Sequence, residues 1–130
     1  MGLDMYLYGR KDNYGLTEEN IGQIGICVEV GYWRKANQIH NWFVENVQGG
    51  VDNCATYFVS KETLSELRDI CKTVLENPDQ AQELLPTSSG FFFGTTEYDE
   101  WYFKDLEDTI KIVDRCLELK YDYYEYQSSW

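Results

Sequence analysis

The residues from 23 to 30 alternate between apolar and polar side chains, and this pattern places the strongest limit on the fold. If the segment is extended, one face carries four aliphatic residues, Ile24, Ile26, Val28 and Val30. The opposite face then carries Gln23, Gly25, Cys27 and Glu29. Such alternation is typical of a strand in an antiparallel sheet that has one covered face and one exposed face. The sequence therefore predicts a sheet of this kind.

The other predicted strands are shorter and rich in aromatic residues. They lie at Leu3 to Tyr8, Thr56 to Val59 and Tyr121 to Ser128. Within the last of them, Tyr124 and Tyr126 share one face. The segment from Gly9 to Gly22 is predicted to be a loop because it is polar and contains several turn-forming residues.

Helical spacing begins after the second strand. A first helix is predicted from Tyr32 to the pair Gly49-Gly50, with its core stripe at Ala36, Ile39, Phe43 and Val47. A second helix begins after Ser60, a favourable N-cap, and ends at Asn77-Pro78. Its core stripe is Leu64, Leu67, Cys71 and Val74.

A third helix is predicted after the phenylalanine-rich residues from 90 to 94. Thr96 is the expected N-cap, and Asp99 stands three residues later, where a capping-box acid belongs. The core stripe is Tyr102, Leu106, Ile110, Val113 and Leu117. The sequence thus predicts a single α+β domain over residues 1–130, with an antiparallel sheet of about four strands packed on one side by three helices.

The chain carries a formal net charge of −12. Such a field repels nucleic-acid phosphates and anionic membranes and attracts basic proteins. We therefore expect no direct nucleic-acid binding and no membrane contact, and we include a basic host protein among the candidate partners. No signal peptide and no run of roughly 20 apolar residues is recognisable, so a cytoplasmic location is expected.

The cysteines and the single histidine, His40, form no metal-binding pattern. None of the four cysteines belongs to a CxxC pair, so neither a metal nor another cofactor is predicted. No spacing of nucleophile and base can be recognised either. Catalysis is therefore less favoured than binding, and a hydrolase or transferase that uses His40 with a carboxylate is kept as an alternative.

A tryptophan-rich motif spans the predicted start of the first helix. Its candidate ligand-binding residues are Tyr32, Trp33, Arg34, Lys35, Asn37 and His40. On a helix, Trp33, Asn37 and His40 would form a half-buried stripe beside the core. Aromatic rings, an amide and cations together suit a small anionic or nucleotide-like ligand. The simpler interpretation is that Trp33 and His40 only close the core.

A second candidate segment combines hydroxyl and aromatic residues ahead of the third helix. Its candidate ligand-binding residues are Ser89, Phe91, Phe92, Tyr98 and Trp101. The helix N-terminus offers N–H groups to an anion, although the acids of the first turn oppose this. The simpler interpretation is a hydrophobic loop with ordinary capping. If the two segments face each other across a hollow, they form one ligand pocket.

Acids and tyrosines alternate in the last predicted strand, from Tyr121 to Tyr126. As an edge strand it would pair with a second copy of the chain, which adds a homo-oligomer to the candidate assemblies. The simpler interpretation is that this strand completes the sheet.

Two motifs carry a resemblance to known sequences. They are YWRKANxIHxWF, from Tyr32 to Phe43, and SGFFFGxTEYDEW, from Ser89 to Trp101. With the opening residues 2–7, they resemble a family of small proteins encoded by bacteriophages, prophages and some bacterial genomes. The resemblance covers most of the chain except residues 9–22. It implies a phage or mobile-element setting, and hence the cytoplasm of an infected or lysogenic bacterial host, but it implies no reaction and no catalytic residues.

These features lead to a ligand-binding protein as the first functional hypothesis. Phage counter-defence, by sequestering a nucleotide-derived signal, would be one use of such binding. The alternative is an acidic protein-interaction module or nucleic-acid mimic that inhibits a host protein. An enzyme that uses His40 is the third hypothesis.

Overall fold

The computed structural model describes residues 2–12, 25–90 and 93–130. Its strands are β1 (Asp4–Asp12), β2 (Gly25–Arg34), β3 (Tyr57–Val59) and β4 (Tyr123–Ser129). Its helices are α1 (Asn37–Asn46), α2 (Lys61–Glu76), the four-residue α3 (Ala81–Leu84) and α4 (Glu100–Glu118). The predicted α+β class is confirmed, with α3 as a short addition to the three predicted helices. Within the described ranges, no helix is both long enough and apolar enough to span a membrane.

The four strands form one antiparallel sheet in the order β2-β1-β4-β3. The last strand of the chain therefore lies inside the sheet, hydrogen-bonded to β1 on one side and to β3 on the other. The interpretation of this strand as an edge strand was therefore wrong, and the simpler interpretation, that it completes the sheet, is confirmed. The edges of this sheet are β2 and β3.

The core lies between one face of the sheet and the helices. Met5 and Leu7 enter it from β1, and Leu3 enters it from the residue just before β1. Tyr124 and Tyr126 enter it from β4, as the alternation in the last strand predicted. All four residues of the predicted α2 stripe are fully buried, namely Leu64, Leu67, Cys71 and Val74. The hydroxyl of Ser60 accepts a hydrogen bond from the Thr63 amide, which confirms the predicted N-cap.

The alternation in β2 does not translate into a fully covered face. Val30 is buried, whereas Val28 is 40% exposed, and Ile24 lies outside the described residues. The pairing with β1 shifts register here, because Leu7 is opposite Gly31 and Tyr8 is opposite Glu29. Val30 is therefore the extra residue of a bulge. Because β2 is also an edge strand, the residues before the bulge lie at the rim of the sheet.

The helix boundaries correct two further predictions. Tyr32, Trp33 and Arg34 belong to the end of β2, and α1 begins only at Asn37. The chain turns between these elements at Lys35, whose φ of 55° breaks the helical periodicity that the sequence suggested. At α4 the N-cap is Asp99 rather than Thr96, since one carboxylate oxygen of Asp99 accepts the backbone N–H groups of residues 101 and 102.

One predicted loop and one predicted stripe are also revised. The first strand continues through Gly9 to Asp12, so this part of the loop predicted from Gly9 to Gly22 is a strand instead. The rest of that predicted loop lies outside the described residues. Phe93 is buried, while Phe91 and Phe92 lie outside the described residues. The buried residues of α4 are Tyr102, Leu106, Thr109, Val113 and Cys116, with Ile110 and Leu117 only half-buried.

Candidate functional site

The two segments that the sequence singled out meet each other, and Asn37 joins them. This residue is buried at the first position of α1. Its side-chain amide donates to the carbonyl oxygens of Phe93 (3.0 Å) and Thr95 (2.8 Å), and its side-chain oxygen accepts from the Ser88 amide (3.0 Å). One buried amide thus ties the backbone at Ser88, Phe93 and Thr95 to the start of α1.

His40 lies inside the protein rather than in an open site. Its exposure is 1%, and its ring meets the Phe93 ring edge-on with centroids 5.4 Å apart. Nδ1 lies 2.7 Å from the Tyr126 hydroxyl, and Nε2 lies 2.9 Å from Oδ1 of Asp52. Burial lowers the pKa of His40, although the hydrogen bond to Asp52 opposes this. A neutral ring that is protonated at Nε2 satisfies both contacts, since a carboxylate can only accept.

Trp33 is also a core residue. Its indole N–H donates to the Thr109 hydroxyl on α4 at 2.8 Å, and its ring packs edge-on against Phe43. The sequence analysis placed a ligand pocket between Trp33, His40 and the phenylalanine-rich segment. Among the described residues, this region is packed with core side chains instead. A ligand site has to lie elsewhere along these segments.

An open cavity of about 250 Å³ lies at the corner where β2 turns into α1 and α4 begins. We call it the corner cleft. The residues that face it with functional side chains are Arg34, Lys35, Gln38, Glu97, Trp101 and Asp105. Asn37 and Tyr102 also line it, and the Tyr102 hydroxyl is already committed to the carbonyl oxygen of Leu85 at 2.6 Å.

The cationic end of the corner cleft is built by the turn after β2. The backbone of Lys35 is in the left-handed region, which residues other than glycine rarely adopt. Gly94 packs against it, and a Cβ at Gly94 would lie only 3.1 Å from the Cβ of Lys35. Arg34 pairs with Asp4 at 2.7 Å. The hydrogen bond from the Tyr32 hydroxyl, together with Arg34, lowers the pKa of Asp4, so this pair is already satisfied within the protein.

The opposite end of the corner cleft holds a carboxyl in a partly buried position. The Gln38 amide donates to Oδ2 of Asp105 at 3.2 Å. Burial raises the pKa of Asp105 to about 6, and the Gln38 hydrogen bond opposes that shift. Asp105 is therefore mostly ionised at neutral pH and is incompletely solvated, which favours a ligand that donates N–H groups to it.

Trp101 provides the aromatic wall of the corner cleft. It is 66% exposed although it lies in the first turn of α4 next to the buried Tyr102. The two exposed tryptophans of the chain are Trp101 and Trp130, whereas Trp33 and Trp42 belong to the core. A large ring held in water beside a cavity is available for stacking.

The structure divides the eleven predicted site residues among several places. Four of them line the corner cleft, namely Arg34, Lys35, Asn37 and Trp101. Trp33 and His40 lie in the core, and Tyr32 lies on the outer face of the sheet beside Asp4. The Tyr98 hydroxyl accepts from the Thr87 amide at 3.2 Å. Ser89 lines a different cavity, and Phe91 and Phe92 lie outside the described residues.

The sequence analysis did not single out Gln38 and Asp105, which are hydrogen-bonded to each other in the lining of the corner cleft. Their signal was present, because Gln38 lies within the tryptophan-rich motif and Asp105 lies one helical turn after Trp101. Within the described ranges, no group of three His, Cys, Asp or Glu side chains is arranged to hold a metal ion.

Comparison with known proteins finds no matching family model, curated protein or solved structure. The resemblance to small phage and prophage proteins therefore stays a prediction from the two motifs. Functional inference depends on the geometry of the chain itself.

Proposed function

We propose that this protein binds a small nucleotide-like ligand in the corner cleft. The observation that carries the proposal is that an exposed aromatic ring, Trp101, a cation, Lys35, and a partly buried carboxyl, Asp105, line one open cavity. A planar base can stack on the ring, its polar edge can meet the carboxyl, and its phosphate can meet the cation.

The charges of the corner cleft narrow the ligand class. Its lining contains two cations, Arg34 and Lys35, and three acids, Glu97, Asp99 and Asp105. Arg34 is paired with Asp4, and Asp99 caps α4. Lys35, Glu97 and Asp105 are therefore the charges most available to a ligand, and of the two acids only Asp105 is partly buried. A polyphosphate would meet the surrounding acids, so a single phosphate fits better.

The polar edge that suits Asp105 and Gln38 is one that donates N–H groups. A carboxylate accepts two parallel N–H bonds, which is the pattern that the Watson–Crick edge of guanine offers. The carbonyl oxygen of the Gln38 side chain adds an acceptor beside it. A nucleoside monophosphate with a guanine-like base is therefore the preferred ligand.

Calorimetry with a panel of nucleotides tests this proposal. We expect guanosine monophosphate to bind more tightly than guanosine, which lacks the phosphate, and than inosine monophosphate, which lacks the 2-amino group. Trp101→Ala should weaken binding about tenfold or more, because base stacking contributes about 1–3 kcal/mol. Trp130→Ala is the matched control, since it removes the other exposed tryptophan. If no nucleotide binds, or if Trp101→Ala binds as tightly as the unchanged chain, the proposal is wrong.

In an infected or lysogenic bacterial host, sequestration of a nucleotide signal would be one use of such a site. This use depends on the family resemblance, which adds the phage setting but no ligand. It predicts tight binding without turnover, so the nucleotide should be recovered unchanged after long incubation with the protein.

The acidic surface supports a second candidate, docking onto a basic host protein. Six acids are exposed along α2, α3 and the turn between them, namely Glu62, Glu66, Asp69, Glu76, Asp79 and Glu83. Reversal of three of these charges should abolish a salt-sensitive interaction with a basic partner while leaving nucleotide binding unchanged. An interaction that survives the reversal would argue against this surface.

A further inference from the structure

A second cavity, of about 270 Å³, lies beside residues 88–93 and shares no lining residue with the corner cleft. It is lined by Asp52, Ser88, Ser89, Gly90, Phe93 and Trp130. We call it the aromatic cavity. Its two rings and its one carboxylate distinguish it from the corner cleft, which has a single exposed ring and several charges.

The two rings of the aromatic cavity form adjacent walls rather than a stack. The centroids of Phe93 and Trp130 lie 6.2 Å apart, and their planes meet at 70°. Phe93 is held from behind by the edge-on contact with His40. Trp130 is 47% exposed, so a large part of its surface stays open to solvent. Two rings at this angle give a small guest two aromatic surfaces at once.

The carboxylate of Asp52 is anchored at the same place. Its Oδ1 accepts from the Trp130 indole N–H at 3.1 Å and from Nε2 of His40 at 2.9 Å. His40 is held in turn by Tyr126. Both hydrogen bonds end on Oδ1, and Oδ2 accepts none from the described residues. The hydrogen bonds that link Tyr126, His40 and Asp52 therefore hold the Asp52 carboxylate at the cavity and leave its Oδ2 available to a guest.

We propose that the aromatic cavity binds an organic ammonium group, with its methyl groups against Phe93 and Trp130 and its charge beside Asp52. An ammonium within about 6 Å of an aromatic centroid is attracted by the negative face of the ring. A methylated ammonium keeps this attraction and also buries apolar surface, which suits two aromatic walls better than a strongly hydrated Lys-type cation does. The net charge of −12 raises the local concentration of such cations.

Other guests fit the aromatic cavity less well. A metal ion would find one carboxylate and no second charged ligand among the lining residues. An anion would meet Asp52 and the acidic field of the chain. A neutral apolar molecule would gain from the rings but would offer no donor or charge to Oδ2 of Asp52. The ammonium is the guest that uses both the rings and the charge.

Calorimetry or NMR titration with choline and with tetramethylammonium tests this assignment, and 3,3-dimethylbutan-1-ol serves as a neutral molecule of the same shape as choline. We expect both cations to bind and the neutral alcohol to bind at least fivefold more weakly. Trp130→Ala should weaken choline binding about 5- to 30-fold, and Trp130→Phe should restore most of it.

Asp52→Asn removes the charge while keeping an oxygen that can accept from both His40 and Trp130. It should also weaken choline binding about tenfold or more. Trp101→Ala is the matched control and should leave choline binding unchanged. Circular dichroism and the thermal midpoint establish that each variant is folded.

Three results would overturn the assignment: no binding of either cation at about 20 mM, equal binding of choline and the neutral alcohol, or unchanged choline affinity in both Trp130→Ala and Asp52→Asn. Because the nucleotide proposal depends on the corner cleft, failure of either proposal leaves the other one testable.

Discussion

The side chain of Asn37 provides a direct test of how the corner cleft is held together. The change Asn37→Ala removes two hydrogen bonds to the carbonyl oxygens of Phe93 and Thr95 and one from the Ser88 amide. The bond to Phe93 is buried, and we assign it about 1 kcal/mol, because its loss leaves a buried acceptor unsatisfied. The other two are partly buried and contribute about 0.5–1 kcal/mol each. The free energy of unfolding should therefore fall by about 2–3 kcal/mol.

Urea denaturation and thermal denaturation measure this loss. For a chain of this length, about 2–3 kcal/mol corresponds to a fall of about 6–12 °C in the thermal midpoint. Asn41→Ala is the matched control, because Asn41 lies on the same helix and makes no side-chain hydrogen bond with the described residues. It should change the free energy of unfolding by no more than about 0.5 kcal/mol. A loss below about 1 kcal/mol in Asn37→Ala, or an equal loss in both variants, would show that Asn37 does not hold Ser88, Phe93 and Thr95 against α1.

Two further predictions concern ionisable groups. Burial raises the pKa of Asp105 from 3.8 to about 6, so the folded chain binds more protons than the unfolded chain in this range, and the stability that Asp105 contributes at low pH should be lost as pH rises from about 4 to 6. Denaturation curves of the unchanged chain and Asp105→Asn should diverge across that window, and parallel pH profiles would contradict the shift. His40→Ala should lower the free energy of unfolding by about 2–4 kcal/mol, because it leaves a cavity and an unpaired Tyr126 hydroxyl. A loss below about 1 kcal/mol would argue against a core role for His40.

The sequence was sufficient to predict the elements whose structure is determined by local patterns. The stripe of α2 has the regular 3.6-residue period, a Ser60 cap and a proline end, and all of these features act within a few residues of each other. The alternation of Tyr124 and Tyr126 in β4 is equally local. Such elements could be predicted because one period and one pair of end signals agree.

The end of β2 could not be predicted because two periods overlap there. Trp33 and Asn37 are four residues apart, which suggests one helical face, yet Trp33 belongs to a strand and Asn37 begins a helix. The left-handed turn at Lys35 separates them, and no glycine or proline marks it in the sequence. Tertiary contacts, including the hydrogen bond from Trp33 to Thr109, override the local preference.

The sequence identified the two segments that form the candidate site, but it did not predict which of their side chains line the cavity. The tryptophan-rich motif and the segment that ends at Trp101 do meet, as the sequence suggested, and Asn37 connects them. The direction in which each side chain points depends on the bulge at Val30 and on the turn at Lys35, neither of which has a sequence signature. As a result Trp33 and His40 became core residues, while Asp105 was missed as a pocket residue.

Stacking of a nucleotide on Trp101 is tested most directly by the NMR signals of the four tryptophan indole N–H groups. In a two-dimensional NMR titration with guanosine monophosphate, the signal of Trp101 should shift progressively to saturation. The signals of the buried Trp33 and Trp42, and of Trp130 in the other cavity, should stay in place. A titration in which the Trp101 signal does not shift, or in which the Trp130 signal shifts instead, would show that the nucleotide does not stack on Trp101.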